Sequence, residues 1–388
     1  MAGGPKGVLG MLMLMGGGLR DYERNGQLDN LLRYHLPGYL QAFERISLFS
    51  YFDERLEDYT ADPELRARVS VWPRRARLPH RAYAAVLPWI YRQQVRECTV
   101  FRVLQATGAL PAVLARAAYG VPYVTTFGYR YAEFTKIAGS GLKAPAVALL
   151  ERMAARSAGA IIVTTDAMLE YVTRLESRAR IVTIPNGIDT DLFSPPPSGG
   201  PGRDRGERRL LFVGRLEPQK NLPVLLEALA MLRRGHSAQL TVVGEGSLRE
   251  ELARQARALG VPVTFAGIVS NETLPGYYRD ADVFVLPSLA EGHPKALLEA
   301  MSCGVACVVS DCQGNRSLVA SGVTGLTHEP SDVRGLAALL ARVLGDDELR
   351  KGLGSSAREY VVGRYDIHET LRSAGALLRE VAAAHGRG

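Results

Sequence analysis

Two cationic side chains follow a short apolar strand, where the sequence pattern changes to that of a helix. The run Leu210–Val213 predicts the strand, and Gly214 permits a sharp turn after it. Arg215 and Lys220 come next, before a helix predicted over Pro223–Leu232. A helix N-terminus already favours anions, and two added cations suit a diphosphate whose charge grows as it leaves. Taken alone, such a pair is more often solvated than bound to phosphate.

Two carboxylates follow another predicted strand, Val283–Leu286. Glu291 lies on the loop after it, and Glu299 lies within a helix predicted to start near Pro294. The remainder of that helix is mostly Ala, Leu and Met, so Glu299 needs a partner if it is buried, because an unpaired buried charge is costly. The competing interpretation is a glutamate at the helix edge that faces solvent. With Glu291 before the helix and Glu299 inside it, both could reach one ligand.

The elements that must position these residues alternate between short apolar runs and longer helical patterns, which indicates an α/β fold with parallel sheets. The predicted strands are Val8–Met15, Pro122–Thr126, Ala160–Thr164, Ile181–Ile184, Leu210–Val213, Leu240–Val243, Val263–Ala266, Val283–Leu286 and Ala306–Ser310. Ligands of open parallel sheets bind beyond the carboxyl ends of the strands. The loops that follow the strands are therefore the expected place for chemistry.

A stretch rich in Pro, Gly and Ser divides the chain of 388 residues almost in half. We predict a first domain over residues 1–190, a linker over 191–206 and a second domain over 207–365. The last helix, within 366–388, is predicted to return and pack on the first domain. A chain of this length is expected to form two domains.

The order of these motifs resembles glycosyltransferase family 4, a large group of retaining enzymes with the GT-B architecture of two Rossmann-like domains facing each other across a cleft. The resemblance is carried by VGRLEPQKN, which starts at Val213, and by the E-x7-E pair in EGHPKALLEAMSCG, which starts at Glu291. The segment IPNGID, from Ile184 to Asp189, precedes both. The match is specific over about residues 181–330 and looser in the first half.

The resemblance implies a nucleotide-diphosphate sugar as donor, a hydroxyl acceptor bound by the first domain, and no required metal or cofactor. Arg215 and Lys220 would neutralise the diphosphate, Glu299 would bind the ribose hydroxyls, and Glu291 would meet the donor sugar. The remaining residues implied in donor binding are Gly16, Gly17, Gly18, Gly214, Ile268, Val269, Gly292, His293 and Lys295. Of these, Ile268 and Val269 would line the base, and the three consecutive glycines resemble the family's glycine loop.

One position departs from the family pattern. Many members carry a histidine after a strand of the first domain, and Phe127 stands where we expect it. Phenylalanine cannot accept a proton or bond a sugar hydroxyl. We therefore take Thr126, Tyr129 and Arg130 as candidates on the acceptor side. In a front-face mechanism the departing phosphate accepts the acceptor's proton, so retaining chemistry does not require the histidine.

The formal net charge is +7, and nine arginines with one acid, Glu97, fall within residues 66–102. This stretch is either the solvated face of a helical hairpin or a contact with an anionic membrane, in which Trp72, Trp89 and Tyr91 would lie at the interface. No recognised motif supports nucleic-acid binding.

Four cysteines in a chain with no evident secretory signal predict reduced, buried thiols and a cytoplasmic protein. The run Val8–Met15 is too short to cross a bilayer, so any membrane contact is expected to be peripheral, on the inner face.

Two other functions remain open from the sequence. A sugar-nucleotide epimerase on the same fold would need acid and base groups around the sugar, and the first half offers no evident set of carboxylates. A non-catalytic protein that binds a sugar nucleotide or a glycan is favoured by the missing histidine. Hydrolysis or transfer of a bound donor distinguishes an enzyme from such a binding protein.

Overall fold

The chain forms two compact units, Met1–Pro185 with His368–Gly388, and Asn186–Ile367. The computed structural model describes residues 7–137, 139, 141–175, 177–196, 207–232 and 237–386. The second unit therefore starts at Asn186, ahead of the predicted domain end at 190. Most of the predicted linker, residues 197–206, lies outside the described residues.

The first unit contains a seven-stranded parallel sheet in the order β3-β2-β1-β4-β5-β6-β7. Its strands are β1 (Val8–Leu12), β2 (Arg45–Phe49), β3 (Val69–Trp72), β4 (Cys98–Val103), β5 (Tyr123–Phe127), β6 (Ala160–Val163) and β7 (Arg180–Thr183). The predicted strand Val8–Met15 is thus shorter than expected, ending at Leu12 where the glycine-containing loop begins. The idea that the arginine-rich stretch forms a helical hairpin is wrong, because this stretch also contributes β3 and most of β4.

Eleven helices flank this sheet in the described part of the first unit. They are α1 (Leu19–Arg24), α2 (Leu28–Asn30), α3 (Leu36–Leu40), α4 (Pro63–Arg68), α5 (His80–Ile90), α6 (Arg92–Glu97), α7 (Leu110–Tyr119), α8 (Tyr131–Ile137), α9 (Ala144–Ser157), α10 (Asp166–Thr173) and, from the chain end, α18 (Ile367–Ala384). Helix α18 packs within this unit: an added Cβ on Gly38 of α3 would lie 2.9 Å from the Leu371 side chain. Arg180 and Glu380 also form an exposed ion pair at 2.6 Å.

The second unit contains a six-stranded parallel sheet in the order β10-β9-β8-β11-β12-β13. Its strands are β8 (Arg208–Val213), β9 (Ala238–Val243), β10 (Val263–Gly267), β11 (Val283–Leu286), β12 (Ala306–Ser310) and β13 (Leu326–His328). Its helices are α11 (Leu222–Leu232), α12 (Arg249–Ala258), α13 (Leu274–Asp280), α14 (Lys295–Ser302), α15 (Gln313–Arg316), α16 (Val333–Gly345) and α17 (Asp347–Val361). Counted from its first strand the order is 3-2-1-4-5-6, that of a Rossmann fold.

The central strands are buried along their whole length because helices cover both faces of each sheet. In β11 and β12 every residue is buried, and both strands read as continuous apolar runs with a single terminal serine, Ser310. Burial on both faces is what removes the polar alternation seen in half-exposed strands. The predicted fold, two parallel α/β sheets of Rossmann type, is confirmed.

Candidate active site

The candidate site of the second unit lies where its strand order reverses. From β8, successive strands are added on one side of the sheet as far as β10, and from β11 they are added on the other side. The loops after the neighbouring strands β8 and β11 therefore leave the sheet side by side. A crevice at such a switch point is the usual ligand site of an open parallel sheet. The loop after β8 carries Arg215 and Lys220, and the loop after β11 carries Glu291.

Lys220 and Glu291 are brought together although 71 residues separate them in sequence. Lys220 Nζ donates to Glu291 Oε1 at 2.6 Å, with side-chain exposures of 14% and 7%. Ser288 Oγ donates to the same oxygen at 2.6 Å. Two donors therefore hold Oε1, while Glu291 Oε2 has no hydrogen bond within the described residues. Such a carboxylate is oriented and retains one free acceptor atom.

Arg215 lies on the loop after β8, as Lys220 does, but its side chain has a different environment. Its side chain is exposed, and none of the described residues gives it a hydrogen bond or an ion pair. Gly214, just before it, has a φ of 155°, in a region where a side chain would be strained. A free guanidinium on the same loop as a partly buried lysine–glutamate pair is an arrangement that can receive an anion with two negative groups.

Asn221 joins the loops that build this edge. It has a φ of 54°, and Nδ2 donates to the carbonyl oxygens of Pro287 at 3.2 Å and Pro330 at 2.8 Å. The left-handed backbone costs free energy in most residue types, although asparagine tolerates it well. One side chain thus connects the end of the β8 loop to the loops after β11 and β13.

Glu299 is 6% exposed and has the partner that its position requires. The hydroxyl of Tyr278, on α13, donates to Glu299 Oε2 at 2.8 Å. Burial raises the pKa of Glu299, while this hydrogen bond and the charge of Lys295 oppose the shift. Burial also lowers the pKa of the Lys295 ammonium, against the attraction of Glu299. The interpretation of Glu299 as a solvent-facing edge residue is wrong.

His293, on the loop between β11 and α14, is buried. It is 6% exposed, its ring lies 5.3 Å from that of Tyr365, and its carbonyl oxygen accepts from Asn186 Nδ2 at 2.7 Å. Burial lowers the pKa of His293 to about 4, so the imidazole is neutral at physiological pH. Nδ1 is buried and has no partner within the described residues. The neighbouring Gly292 is buried as well, and Lys295 begins α14.

Three residues that the sequence analysis missed support Glu291 from the β12 side. A Cβ added to Gly314 would lie 2.5 Å from the carbonyl atoms of Glu291, so only glycine permits α15 to approach this loop so closely. Ser310 Oγ donates to the Ser288 carbonyl oxygen, and Asn315 Nδ2 donates to Ser310 Oγ at 3.1 Å. The one available signal was their place at the carboxyl end of a predicted strand, Ala306–Ser310.

The two residues implied in base binding follow the edge strand β10. Ile268 is 45% exposed, and Val269 is half-buried and packs against the core. No described hydrogen bond links them to Lys220 or Glu291. Their proposed contact with a nucleobase stays a prediction.

In the first unit, the glycine loop after β1 leads into a helix whose N-terminus is already occupied. Glu54, 5% exposed, accepts from the backbone N–H groups of Leu19 at 2.8 Å and Arg20 at 3.0 Å. A Cβ on Gly18 would clash with Glu54 Oε1, and one on Gly16 would clash with the ring of His80. The glycines therefore make room for protein side chains.

Phe127 is a core residue of the first unit. Its side chain is fully buried in the core of the first unit, at the last position of β5. A side chain at this position points into the core, and the correspondence of Phe127 with the family histidine stays a prediction. Gly128 comes next, and a Cβ added to it would meet no atom within 4 Å.

The three acceptor-side candidates lie at the end of β5 and in the loop after it. Thr126 Oγ1 is buried and has no partner within the described residues. Tyr129 stacks on Phe134 at 4.7 Å between ring centroids. Arg130 forms an ion pair with Glu133 at 2.9 Å, so its charge is already partnered.

The arginine-rich stretch is largely engaged within the protein. Arg68 donates to the carbonyl oxygens of Leu40 at 2.8 Å and Phe43 at 3.0 Å, and the buried Arg102 donates to Tyr39 at 3.0 Å. The further members that bond or stack are Arg66, Arg74 and Arg75. These arginines therefore stabilise the fold around β3 and β4.

Of the three aromatic residues predicted to lie at a membrane interface, the prediction is wrong for Tyr91. Tyr91 is fully buried, and Trp72 packs against it at 5.7 Å between ring centroids. Trp89 remains 51% exposed on α5. Tyr91 is therefore closed to a membrane, while the roles of the half-buried Trp72 and the exposed Trp89 stay predictions.

Some expected groupings do not occur in the described part of the chain. No helix there has both the length and the apolar character needed to cross a membrane. The described residues contain no cluster of His, Cys, Asp or Glu suited to a metal ion. The four cysteines are buried thiols that form no disulfide within the described residues, and burial raises the thiol pKa of Cys303 and Cys307.

Comparison with known proteins defines the class to which this fold and site belong. The family model described as "Glycosyl transferases group 1" matches residues 199–360, and that described as "Glycosyltransferase Family 4" matches residues 41–192. Together the two models match well over half of the chain. The chain belongs to the family 4 glycosyltransferases, and its fold is that of GT-B enzymes.

Particular relatives share part of the sequence. The phosphatidyl-myo-inositol mannosyltransferase of Mycolicibacterium smegmatis is 37% identical over 217 residues, 53% of this chain and 55% of the relative. A glycogen synthase of Mycobacterium tuberculosis is 32% identical over 263 residues, 66% of this chain and 63% of the relative. The chain thus matches little more than half of each relative's length.

Among solved structures, Anabaena HepE in complex with UDP and glucose has a similar fold. Its TM-score is 0.74 at 19% identity, with 97% of this chain and 100% of that chain covered.

Proposed function

We propose that the protein is a retaining glycosyltransferase that moves a hexosyl sugar from a nucleotide-diphosphate donor to a hydroxyl acceptor. The observation that carries the proposal is the partly buried pair of Lys220 and Glu291 at the switch point, 2.6 Å apart, with the unpartnered Arg215 on the same loop as Lys220. The similar fold of HepE, which was solved in complex with UDP and glucose, supports a donor of this type.

The cations would hold the diphosphate. Lys220 Nζ gives one N–H to Glu291, which leaves two N–H groups for phosphate oxygens. Arg215 would add its planar guanidinium from the solvent side. Because Glu291 holds the Lys220 ammonium in place before the reaction, this charge stabilises the growing charge of the leaving phosphate with little reorganisation. We expect no metal requirement for this reason.

The two carboxylates would orient the donor's sugars. Glu291 has Oε2 free for a hydroxyl of the transferred sugar, because its Oε1 is held by Lys220 and Ser288. Glu299 accepts from Tyr278 on Oε2 and would bind the ribose hydroxyls with its other oxygen. Each carboxylate is thus fixed by one of its oxygens, which is the preorganisation that positioning requires.

The chemical step then needs no protein base. The bond between the anomeric carbon and the phosphate oxygen breaks, and a bond to the acceptor oxygen forms on the same face of the sugar. The acceptor's proton passes to the departing phosphate oxygen. This route fits the first unit, where Phe127 is in the core and Gly128 has no side chain.

The acceptor class is a glycan, a lipid-linked hydroxyl or a small molecule. The relatives' names point to two of these: one is a phosphatidyl-myo-inositol mannosyltransferase and the other a glycogen synthase. We propose a cytoplasmic location, in line with four buried cysteines that form no disulfide, and a peripheral contact with an anionic membrane through residues 66–102. Arg77, Arg81 and Trp89 are exposed members of that stretch.

A thermal-shift panel of UDP, GDP, ADP, CMP and TDP, each with its sugars, tests the donor site. A ligand at 100 times its Kd should raise the free energy of unfolding by about 2.7 kcal/mol. Arg215→Ala should abolish most of the shift, whereas Arg334→Ala, an exposed arginine on α16, should leave it intact. A shift equal in both variants would remove Arg215 from the proposed site.

A second candidate, a non-catalytic sugar-nucleotide binding protein, is favoured by the absence of a polar side chain at Phe127 and Gly128. Incubation of the bound donor with and without acceptors separates the two. Release of sugar, or transfer with retained anomeric configuration seen by NMR, supports the enzyme. An epimerase would instead change the donor itself, and the buried carboxylates of the first unit, Glu54 and Glu151, lie in separate hydrogen-bond networks.

A further inference from the structure

Arg102, near the carboxyl end of β4, is the one arginine or lysine among the described residues that is buried, with 7% of its surface exposed. Its Nε donates to the Tyr39 hydroxyl at 3.0 Å, and its Nη1 donates to the carbonyl oxygen of Val103 at 2.9 Å. Both acceptors are neutral, and no described residue forms an ion pair with this guanidinium. By contrast, the buried carboxylate Asp282 in the second unit has Arg350 at 3.9 Å.

The Arg102 guanidinium has donors that the protein does not use. Arginine carries five N–H groups, and two of them are engaged here. No described residue accepts a hydrogen bond from Nη2. This atom is also not one of the enclosed polar atoms that lack a partner, so it keeps contact with solvent. A buried charge without an opposite charge costs free energy, which a bound anion would offset.

The position of Arg102 in the first sheet is one where ligands bind. Strand β4 lies beside β1, where the strand order reverses. Arg102 pairs in register with Val124 of β5, so Thr126, two residues further along, lies on the same face of the sheet. Thr126 Oγ1 is buried and has no partner within the described residues. Two neighbouring strands thus each place an unsatisfied polar group on one face, near their carboxyl ends.

Tyr22 of α1 adds a third donor. Burial raises the pKa of its hydroxyl to about 12, and the positive charge of Arg102 opposes this shift. The phenol is therefore protonated, and it makes no hydrogen bond within the described residues. A guanidinium, an alcohol and a phenol from three different elements suit the tetrahedral oxygens of a phosphate better than the two coplanar oxygens of a carboxylate.

We propose that Arg102, Tyr22 and Thr126 form a subsite in the first unit that binds a phosphate group of the acceptor. Arg102 would supply charge-assisted hydrogen bonds, and the two hydroxyls would orient the remaining oxygens. The phosphate anchors the acceptor and takes no part in bond making. The inference rests on the proposed function, since it narrows the acceptor to a hydroxyl compound that carries phosphate.

Calorimetric titration of the full chain with glycerol 3-phosphate tests the subsite, with glycerol and glycerate as matched probes that lack phosphate. We expect glycerol 3-phosphate to bind, glycerate to bind much more weakly and glycerol not to bind. Arg102→Met keeps the length of the side chain and removes its charge, so affinity should fall at least about tenfold. Arg68→Met is the control, because Arg68 also donates to backbone carbonyl oxygens but lies outside the subsite.

Thr126→Val and Thr125→Val form a matched pair. Both hydroxyls are buried without a partner in the described residues, but adjacent strand residues point to opposite faces of the sheet. Thr126→Val should weaken glycerol 3-phosphate binding several-fold without lowering thermal stability, and Thr125→Val should leave binding unchanged. Equal losses in the two variants, or equal binding of glycerate and glycerol 3-phosphate, would overturn the proposal.

The same variants separate the acceptor from other sources of phosphate. The thermal shift caused by UDP should be the same in Arg102→Met and the wild type, and its loss would assign Arg102 to the donor instead. Soluble dihexanoyl phosphatidylglycerol represents a lipid headgroup. If it alone binds in an Arg102-dependent manner, the acceptor phosphate belongs to a lipid, and binding of neither probe would overturn the subsite. Absence of any nucleotide shift in the wild type would count against the proposed function, whatever the titrations show.

Discussion

The switch points of the two sheets have the same topology and opposite contents. In the second unit, the loops after β8 and β11 present the free guanidinium of Arg215 and the partly buried Lys220–Glu291 pair. In the first unit, the glycine loop after β1 leads into a helix whose first N–H groups are bonded to Glu54. The loops of the second unit thus offer cationic groups to an anion. In the first unit, a carboxylate of the protein itself already accepts the hydrogen bonds of the helix N-terminus.

This difference shows that a glycine-rich turn is an ambiguous sign of anion binding. Glycines are needed wherever the backbone approaches another group closely, and that group can be a carboxylate of the same protein. At Gly18 the neighbouring groups are Glu54 and Ser50, so the turn is shaped by internal contacts. We therefore expect the charge of a donor diphosphate to be borne mainly by the second unit.

The largest expected effect is that of Lys220→Ala. It removes the cation nearest the proposed diphosphate and leaves Glu291, whose side chain is 7% exposed, without its ion-pair partner. Turnover should fall by about 10²–10³-fold, the usual loss for one preorganised donor. Steady-state kinetics checks this, with Lys351→Ala as control, since that lysine forms a wholly exposed ion pair with Glu348. Near-wild-type turnover in Lys220→Ala would contradict the expectation that the second unit bears the charge of the diphosphate.

The pH dependence of stability tests whether His293, in the second unit, is buried as a neutral ring. Its folded pKa of about 4 lies below the ordinary value of 6.5, so the unfolded chain binds the proton first. The contribution of the neutral His293 ring to the free energy of unfolding is therefore complete above pH 6.5. It is lost as the pH falls towards 4, and the loss is at most about 3 kcal/mol. Chemical denaturation of the wild type and His293→Asn across this range should show a shallower pH dependence in the variant. Parallel curves would mean that His293 is not buried as a neutral ring.

Gly314→Ala tests whether close packing of α15 sets the Glu291 loop. The added methyl would lie 2.5 Å from the Glu291 carbonyl carbon and oxygen, so the loop must move. We expect a loss of about 2 kcal/mol in stability, together with weaker nucleotide-sugar binding. Gly276→Ala on α13 is the matched control because its methyl would meet nothing within 4 Å. Urea denaturation and the thermal-shift assay measure the two effects.

The smallest effect is expected on the other side of the comparison. Glu54→Gln keeps the shape of the side chain but replaces a charged acceptor at the start of α1 with a neutral one. Stability should fall by about 1 kcal/mol while donor affinity remains unchanged. If donor affinity instead rises, the glycine loop takes part in anion binding, and Glu54 competes with the ligand there.

Within the described residues, sequence patterns located nine strands and missed β2, β3, β4 and β13. The predicted strands Val283–Leu286 and Ala306–Ser310 match β11 and β12 at both ends. Strand β4 was missed because it contains Arg102, whose guanidinium is buried against Tyr39. The pairing of a charged side chain with a distant hydroxyl leaves no periodic signal in the sequence.

For the site residues too, arguments from local sequence succeeded, and contacts between distant segments were missed. The local arguments located Arg215, Lys220 and Glu291 at strand ends, and the need of Glu299 for a partner is met by Tyr278. The long-range contacts were not accessible, since Gly314 acts through a close approach that only the folded chain brings about. The roles of these residues in donor binding stay predictions.

The bonds of Asn221 have a consequence for how selectivity could change in this protein. Because one amide ties the β8 loop to Pro287 and Pro330, that loop loses little conformational entropy when a ligand arrives. A rigid clamp of this kind contributes equally to every ligand that shares the clamped group. Discrimination between bases must then come from segments outside it, and the exposed Ile268 beyond β10 can vary without disturbing the clamp. Engineering of base preference should therefore begin there.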